Sequence, residues 1–312
     1  MAPSGRPRPE ASRTRLAHLL SRCRFPGHGA PLTCAVSGGA DSLALLVLAV
    51  EAGCRVTAVH VDHGLRPGSA SEADVVASAA ARFGADFRSE RVQVAPGPNL
   101  EARARAARRA VLPPGAATGH TADDQAETML LNLVRGAGRD GLAGMRPGTT
   151  KPLLAVRRSE THALCAELGL DPIVDPSNLD PSFRRNRVRH ELLPLLQSIA
   201  QRDVVPVLTR QADLMRDEAE VLDGLASLLD AHDGRALAAA PPPLARRAVR
   251  RLLEAVPSDD RRHPEDHRSG HPPDAAAVER VLRVARKQAA ACEVPGGVRV
   301  RRSGGRLYAE RG

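Results

Sequence analysis

The chain has 312 residues, enough for one large α/β domain and a smaller second one. Its net charge of +9 and pI near 10.4 point toward a polyanionic partner, although only Lys151 and Lys287 are lysines among 45 basic residues, a bias that GC-rich codons also produce. No run of eighteen apolar residues is present to span a membrane, and five scattered cysteines without a C-x-x-C pair point away from a disulfide framework or a zinc or iron–sulfur site and fit a reducing cytoplasm.

The start, "MAPSGRPRPEASRTRLAHLLSRC", is Arg-rich but has no apolar h-region, so it reads as a tail and first amphipathic helix (1–24, helix from Glu10 to Cys23) rather than a secretory signal. From there short β-branched runs alternate with helical segments. "PLTCAV" is predicted as a strand, Asp41 to Ala52 as a helix, "RVTAVHV" as a strand and Ala73 to Phe83 as a helix. "DFRSERVQV" follows as a strand, Leu100 to Val111 as a helix, "AATGH" as a short strand and Ala122 to Arg135 as a helix. That alternation predicts a doubly wound parallel sheet covered on both faces, with ligands bound beyond the carboxyl ends of the strands.

From Ser159 onward the pattern turns helical. In "RRNRVRHELLPLLQSI" the residues Val188, Leu192, Leu195, Leu196 and Ile199 form one apolar stripe, with the arginines mostly off it. A long polar helix follows, then a Pro241 to Pro243 junction, a helix near Ala275 to Ala290 and a hairpin in "GVRVRRSGGRLYAER". Residues 257–274 are rich in Pro and charge and read as a disordered loop. The expected division is therefore a catalytic domain over 25–205, a linking helix over 206–230 and a small C-terminal α/β domain over 231–312.

Three turns at strand ends carry the polar residues. "SGGADS" (Ser37, Gly38, Gly39, Ala40, Asp41, Ser42) lets backbone amides approach an anion at the start of a helix, but lacks the lysine of a Walker loop. A tight turn with a serine or aspartate cap would use the same residues. "TGHTADDQAET" puts His120 and Asp124 four apart, and Asp123 and Asp124 four and three before Glu127, so that they share a helix face; acids there also suit the macrodipole. "HVDHGLR" gathers His60, His63 and Arg66 for adenosine or substrate contact. Arg105 and Arg109 on one predicted helix, and Arg185 and Arg189 on another, are candidates for phosphate contact or for a solvated face.

"SGGADS" resembles the signature loop of the N-type ATP pyrophosphatases of the PP-loop superfamily. Together with "HVDHGLR", "NLEARARAARR", "TGHTADDQAET", "LVRGAGRDGLAGM", "KPLL" and "DPSNLDPSFRRNRVRHELLPLL", in that order over about Thr33 to Leu196, it is similar to the tRNA(Ile)-lysidine synthases. The resemblance implies a five-stranded, adenine nucleotide alpha hydrolase-like sheet with a helical extension and a tRNA-binding C-terminal domain. It implies a cytoplasmic ligase that joins L-lysine to C2 of the wobble cytidine in an isoleucine tRNA with a CAU anticodon, switching codon reading from AUG to AUA. ATP would adenylate the base, releasing pyrophosphate and then AMP.

Residue by residue, the same resemblance makes 37 to 42 the ATP loop, with His60 and His63 beside it. Asp41 becomes the Mg²⁺ ligand, and Asp124 and Glu127 the grip on lysine. Arg66, Arg105, Arg109, Arg185 and Arg189 become tRNA or phosphate contacts, and a homodimer is also implied. The attacking amine must be neutral, so one of Asp41, Asp123 or His120 is the expected base. Phe183, where the family more often has tyrosine, and the 257–274 insert depart from the pattern. A base thiolase of the same superfamily, an amide-forming ligase and a catalytically silent ATP- and RNA-binding module are the competing readings.

Overall fold

The computed structural model describes residues 10–62, 64, 69–92, 100–256 and 273–311. The chain divides into two compact units, Met1–Asp213 and Leu214–Gly312.

In the first unit α1 (Glu10–Leu20) precedes β1 (Pro31–Ala35), α2 (Ala40–Glu51), β2 (Arg55–Asp62), α3 (Ser69–Phe83), β3 (Asp86–Arg91), α4 (Leu100–Val111), β4 (Ala117–Thr118) and α5 (Ala122–Val134). The strands pair in parallel in the order β3-β2-β1-β4. Chain order thus reverses between β1 and β4, and the crevice for a ligand opens between their carboxyl ends. Both polar turns of interest, Ser37 to Ser42 and Gly119 to Asp124, leave the sheet there.

α2 explains why the sheet forms around it. Leu43, Leu45, Leu46 and Leu48 are fully buried, each contributing roughly 2 kcal/mol of apolar burial, and α1 and α7 (Arg158–Glu167) supply Leu16, Leu19, Leu164 and Cys165 to the same core. A helix apolar on all sides needs cover on all sides.

The sheet has four strands among the described residues, one fewer than the expected five. At the edge beyond β4, Thr118 donates its N–H to Thr150 O at 3.0 Å, but the chain there is a tight turn closed by the Gly148–Lys151 bridge and does not continue the ladder. The expected strand over "DFRSERVQV" ends earlier too: after β3 only Val92 continues the pairing, through its N–H to Asp62 O, and 93–94 lie outside the described residues.

The short α6 (Arg139–Leu142) and its flanks are stitched to α5 by side-chain amides. Gln125 Nε2 donates to Ala143 O and Met145 O, its Oε1 accepts Met145 N–H at 2.8 Å, and Asn132 Nδ2 donates to Gly141 O at 2.7 Å. The "RGAGRDGLAGM" stretch is therefore a clamp on the back of the helix that carries the acids.

The predicted helix over 184–199 is one helical run with an inserted π turn: α8 (Arg184–Arg187), the turn Val188–Leu192, and α9 (Leu193–Ala200). Pro194 has no N–H to give His190 O, which loosens the α-helical ladder at that point. Val188 and Leu193 pack with Ala122, Ala126 and Leu130 of α5, which brings the arginines of this run over the acids.

α10 (Val205–Ser227) leads into the second unit, where α11 (Gly234–Ala239), α12 (Pro242–Glu254) and α13 (Ala275–Ala285) accompany an antiparallel sheet in the order β5-β6-β7. The hairpin β6 (Val298–Ser303) and β7 (Arg306–Arg311) has gained β5 (Ala291–Val294) as a third strand. Leu237, Val249, Leu252, Val281, Leu282, Val300 and Leu307 form its own core. The 257–274 insert falls almost wholly outside the described residues; only Pro273 and Asp274 are described, and Asp274 caps α13 through Ala277 N–H.

Candidate active site

The loop after β1 is shaped by its serines. Ser42 Oγ donates to Gly39 O at 2.8 Å and accepts Ser37 N–H at 3.2 Å. Gly38 sits at φ +86°, and a Cβ there would come within 2.3 Å of Ile173 Cδ1. Gly39, the N-cap of α2, has no side chain of its own to cap the first turn, and the first-turn amides of a helix have no acceptor in their own ladder. Those amides, at Ala40 and Asp41, are donors suited to an anion. His60, predicted beside the loop, is buried; its Nδ1 lies 3.0 Å from Val36 O, and Nε2 has no hydrogen-bond partner among the described residues.

β4 approaches this loop through Gly119. A Cβ on Gly119 would lie 2.7 Å from Asp41 O and 3.0 Å from Ser42 N, both backbone atoms. Gly119→Ala must therefore push the "TGH" turn and the loop apart. An expected loss of about 10²-fold in pyrophosphate release, with an unchanged far-ultraviolet spectrum, follows from such a displacement.

Past Gly119 the acids of α5 meet a set of arginines. Glu127 is 0 % exposed; Oε1 accepts from Arg158 Nη1 at 2.9 Å and Arg189 Nε at 2.7 Å, and Oε2 accepts from Arg185 Nε at 2.7 Å and Arg189 Nη2 at 3.2 Å. Asp124 Oδ1 accepts from Arg158 Nη2 at 2.9 Å and Arg185 Nη2 at 3.1 Å, while Oδ2 takes the Thr121 N–H and hydroxyl. Asp123 is held bidentately by Arg157 and by Arg158 N–H. Arg157 also pairs with Asp203. Asp41 Oδ1 accepts the Thr161 hydroxyl, and its Oδ2 lies 3.3 Å from Arg158 Nε.

The electrostatics separate these carboxylates. Burial would raise Asp124, but Arg158, Arg185 and the Thr121 amide outweigh it and hold the group below the usual range. Burial likewise works against Asp123, and the Arg157 and Arg158 bonds again win. At Asp41 burial prevails over Thr161 and Arg158, and its acidity is weakened. Arg158 is lowered by burial but raised further by Asp124, Glu127 and Asp41.

A pH consequence has a defined sign. The stability from Asp123 and Asp124 is complete above the ordinary carboxylate value of about 4 and is lost as pH falls through their depressed folded values, whereas Asp41 gains relative stability on protonation. The urea midpoint of the wild type is expected to fall below about pH 4, and Asp123→Asn to flatten that fall.

The structure thus gathers Asp41, Asp123, Asp124, Glu127, Arg185 and Arg189 in one crevice, with the loop beside it. His120 lies at the same turn, its Nδ1 2.7 Å from Thr118 Oγ1. His63 and Arg66 lie outside the described residues, as do the side chains of Arg105 and Arg109 on α4. Sequence reasoning missed Arg157, Arg158 and Thr161, although "RRSET" directly after "KPLLAV" was the available signal. It also missed Asn186, whose buried amide donates to Ser177 O at 2.7 Å and Asp180 O at 2.9 Å and so fixes the "DPSNLD" turn beside the arginine helix.

A parallel sheet with an anion loop at its switch point and an acid–arginine crevice alongside defines a PP-loop nucleotide-binding domain, and a PP-loop domain model matches residues 10–196. Among similar proteins, the tRNA(Ile)-lysidine synthase of Nocardia farcinica is 46 % identical over 73 % of this chain and 77 % of its own length, and that of Leifsonia xyli is 41 % identical over 73 % and 77 %. The chain belongs to the tRNA(Ile)-lysidine synthase family. A U34-tRNA thiolase from Methanococcus maripaludis shares the fold, with a TM-score of 0.50 at 18 % identity over 66 % of this chain and 79 % of that one.

Proposed function

We propose that this protein ligates L-lysine to C2 of the wobble cytidine in an isoleucine tRNA with a CAU anticodon, consuming ATP to AMP and pyrophosphate. The observation that carries the reading is the meeting of a glycine-shaped anion loop with a half-buried carboxylate, Asp41, at the β1/β4 switch point of a chain in this family. The loop amides bind the departing pyrophosphate as its charge develops. The cytidine C2 oxygen forms a bond to the α phosphorus as the α–β bridge breaks. The lysine amine then forms the C2–N bond, AMP leaves with the oxygen, and the nitrogen gives up its proton.

Asp41 suits Mg²⁺, which takes one or two carboxylates together with substrate phosphates and waters, and the ion would supply positive charge to the triphosphate. Asp124 and Glu127 are the proposed lysine contacts. Their oxygens already accept guanidinium N–H groups, so an ammonium reaches them by displacing an arginine donor. Of the three candidate bases, Asp123 is the weakest, because Arg157 holds it acidic; Asp41 and His120 remain.

The C-terminal unit is proposed to bind tRNA. One face of its sheet alternates outward Arg299 and Arg301 on β6 with Arg306 and Tyr308 on β7, and the Arg301 guanidinium stacks over the Tyr308 ring at 4.7 Å. Phosphates and unpaired bases suit such a face.

Pyrophosphate release without lysine tests the adenylation half-reaction. It is expected with unmodified isoleucine tRNA bearing CAU and absent when the wobble cytidine is replaced by uridine. Release that ignores this change would overturn the assignment of the nucleophile.

A further inference from the structure

Arg158 reaches across the crevice from the first position of α7. Its guanidinium donates to Glu127 and Asp124, both at 2.9 Å, and lies 3.3 Å from Asp41, so one cation spans the acids of α5 and the phosphate loop. With Arg185 and Arg189 it sets three guanidiniums against the three carboxylates Asp41, Asp124 and Glu127. A crevice of acids alone would bind a lysine ammonium well and hold its proton. The matched crevice does not carry that surplus of negative charge.

We propose that Arg158 is a positioning residue that sets the charge of the amine subsite: by neutralising Asp124 and Glu127 it weakens the grip on the ammonium and so favours the neutral, nucleophilic amine. This rests on the reading that the lysine side chain enters this crevice. Like charges near a cation favour its deprotonated form, and the amine must lose a proton with an ordinary value of about 10.4 before it attacks. Tight binding of the charged form would therefore oppose the reaction.

The inference makes KM and kcat move together in a direction that simple damage does not produce. For Arg158→Gln the KM for L-lysine is expected to fall by about three- to tenfold while kcat of lysine transfer falls by about tenfold or more. Arg158→Lys keeps the charge and is expected to stay within about threefold of the wild-type KM. A KM that rises or stays level in Arg158→Gln, or an Arg158→Lys variant no closer to wild type than Arg158→Gln, overturns the proposal. If Arg158→Gln does not fold, Arg185→Gln removes a guanidinium from the same two α5 acids, and the same split is required of it. Failure of the wild type to transfer lysine would instead remove the functional reading on which this inference stands.

Discussion

Replacing Glu127 with alanine is expected to destabilise the N-terminal unit by on the order of 3 kcal/mol and to lower its melting temperature by roughly 6–12 °C. Glu127 is 0 % exposed and receives hydrogen bonds from Arg158, Arg185 and Arg189. Removing it leaves three guanidiniums converging on an empty volume, with only Asp124 and Asp41 to balance them. The arginine side chains are themselves 20–25 % exposed, so water relieves part of the cost, which is why the lower end of the range for a broken buried ion pair applies. Glu127→Gln keeps the volume but sets an amide NH₂ against guanidinium N–H donors, and is expected to lose about half as much. Thermal denaturation of the three proteins side by side checks the order. A Glu127→Ala protein as stable as the wild type would mean that these arginines are not held by the carboxylate.

Asp41→Asn is expected to behave in the opposite way. Burial already disfavours the charge of Asp41, so the neutral isostere keeps the Thr161 contact without that penalty, and the urea midpoint should hold or rise. Pyrophosphate release with tRNA should nevertheless fall by about 10²–10³-fold, because the carboxylate that faces the phosphates is gone. A carboxylate kept where burial works against its charge, at the mouth of an anion loop, is the reason Asp41 is proposed as a functional position. A variant that releases pyrophosphate at the wild-type rate would remove Asp41 from the chemistry.

Much of this arrangement was legible before any coordinates. The strand–loop–helix unit around "SGGADS" was readable because glycines, an uninterrupted apolar helix and a β-branched strand are local signals, and the α5 acids stood out by helical spacing. What the sequence hid was partnership. Arg185 and Arg189 were recognisable as a basic face, but nothing in their spacing says that they turn inward onto Glu127; that follows from α9 and the π turn packing on Ala126 and Leu130 of α5. Arg158 was hidden more deeply, because it comes from a helix some thirty residues from the acids it binds. The four parallel strands read from the pattern are the four found; the fifth was implied by the family resemblance alone, and among the described residues the edge beyond the two-residue β4 is met by a turn. The "RGAGRDGLAGM" stretch was readable as a motif, yet its use as a clamp through Gln125 and Asn132 depends on side chains of a different element.

The central claim is that adenylate is placed on a tRNA base and then displaced by the side-chain amine of lysine. Incubating the protein with ATP, labelled L-lysine and unmodified isoleucine tRNA bearing CAU, then digesting the RNA to nucleosides, tests it most directly. The account predicts one label per tRNA, stable to mild base, on the wobble nucleoside, with AMP formed in equal amount. Label that mild base removes as an ester, or pyrophosphate release with no label in the RNA, would contradict it.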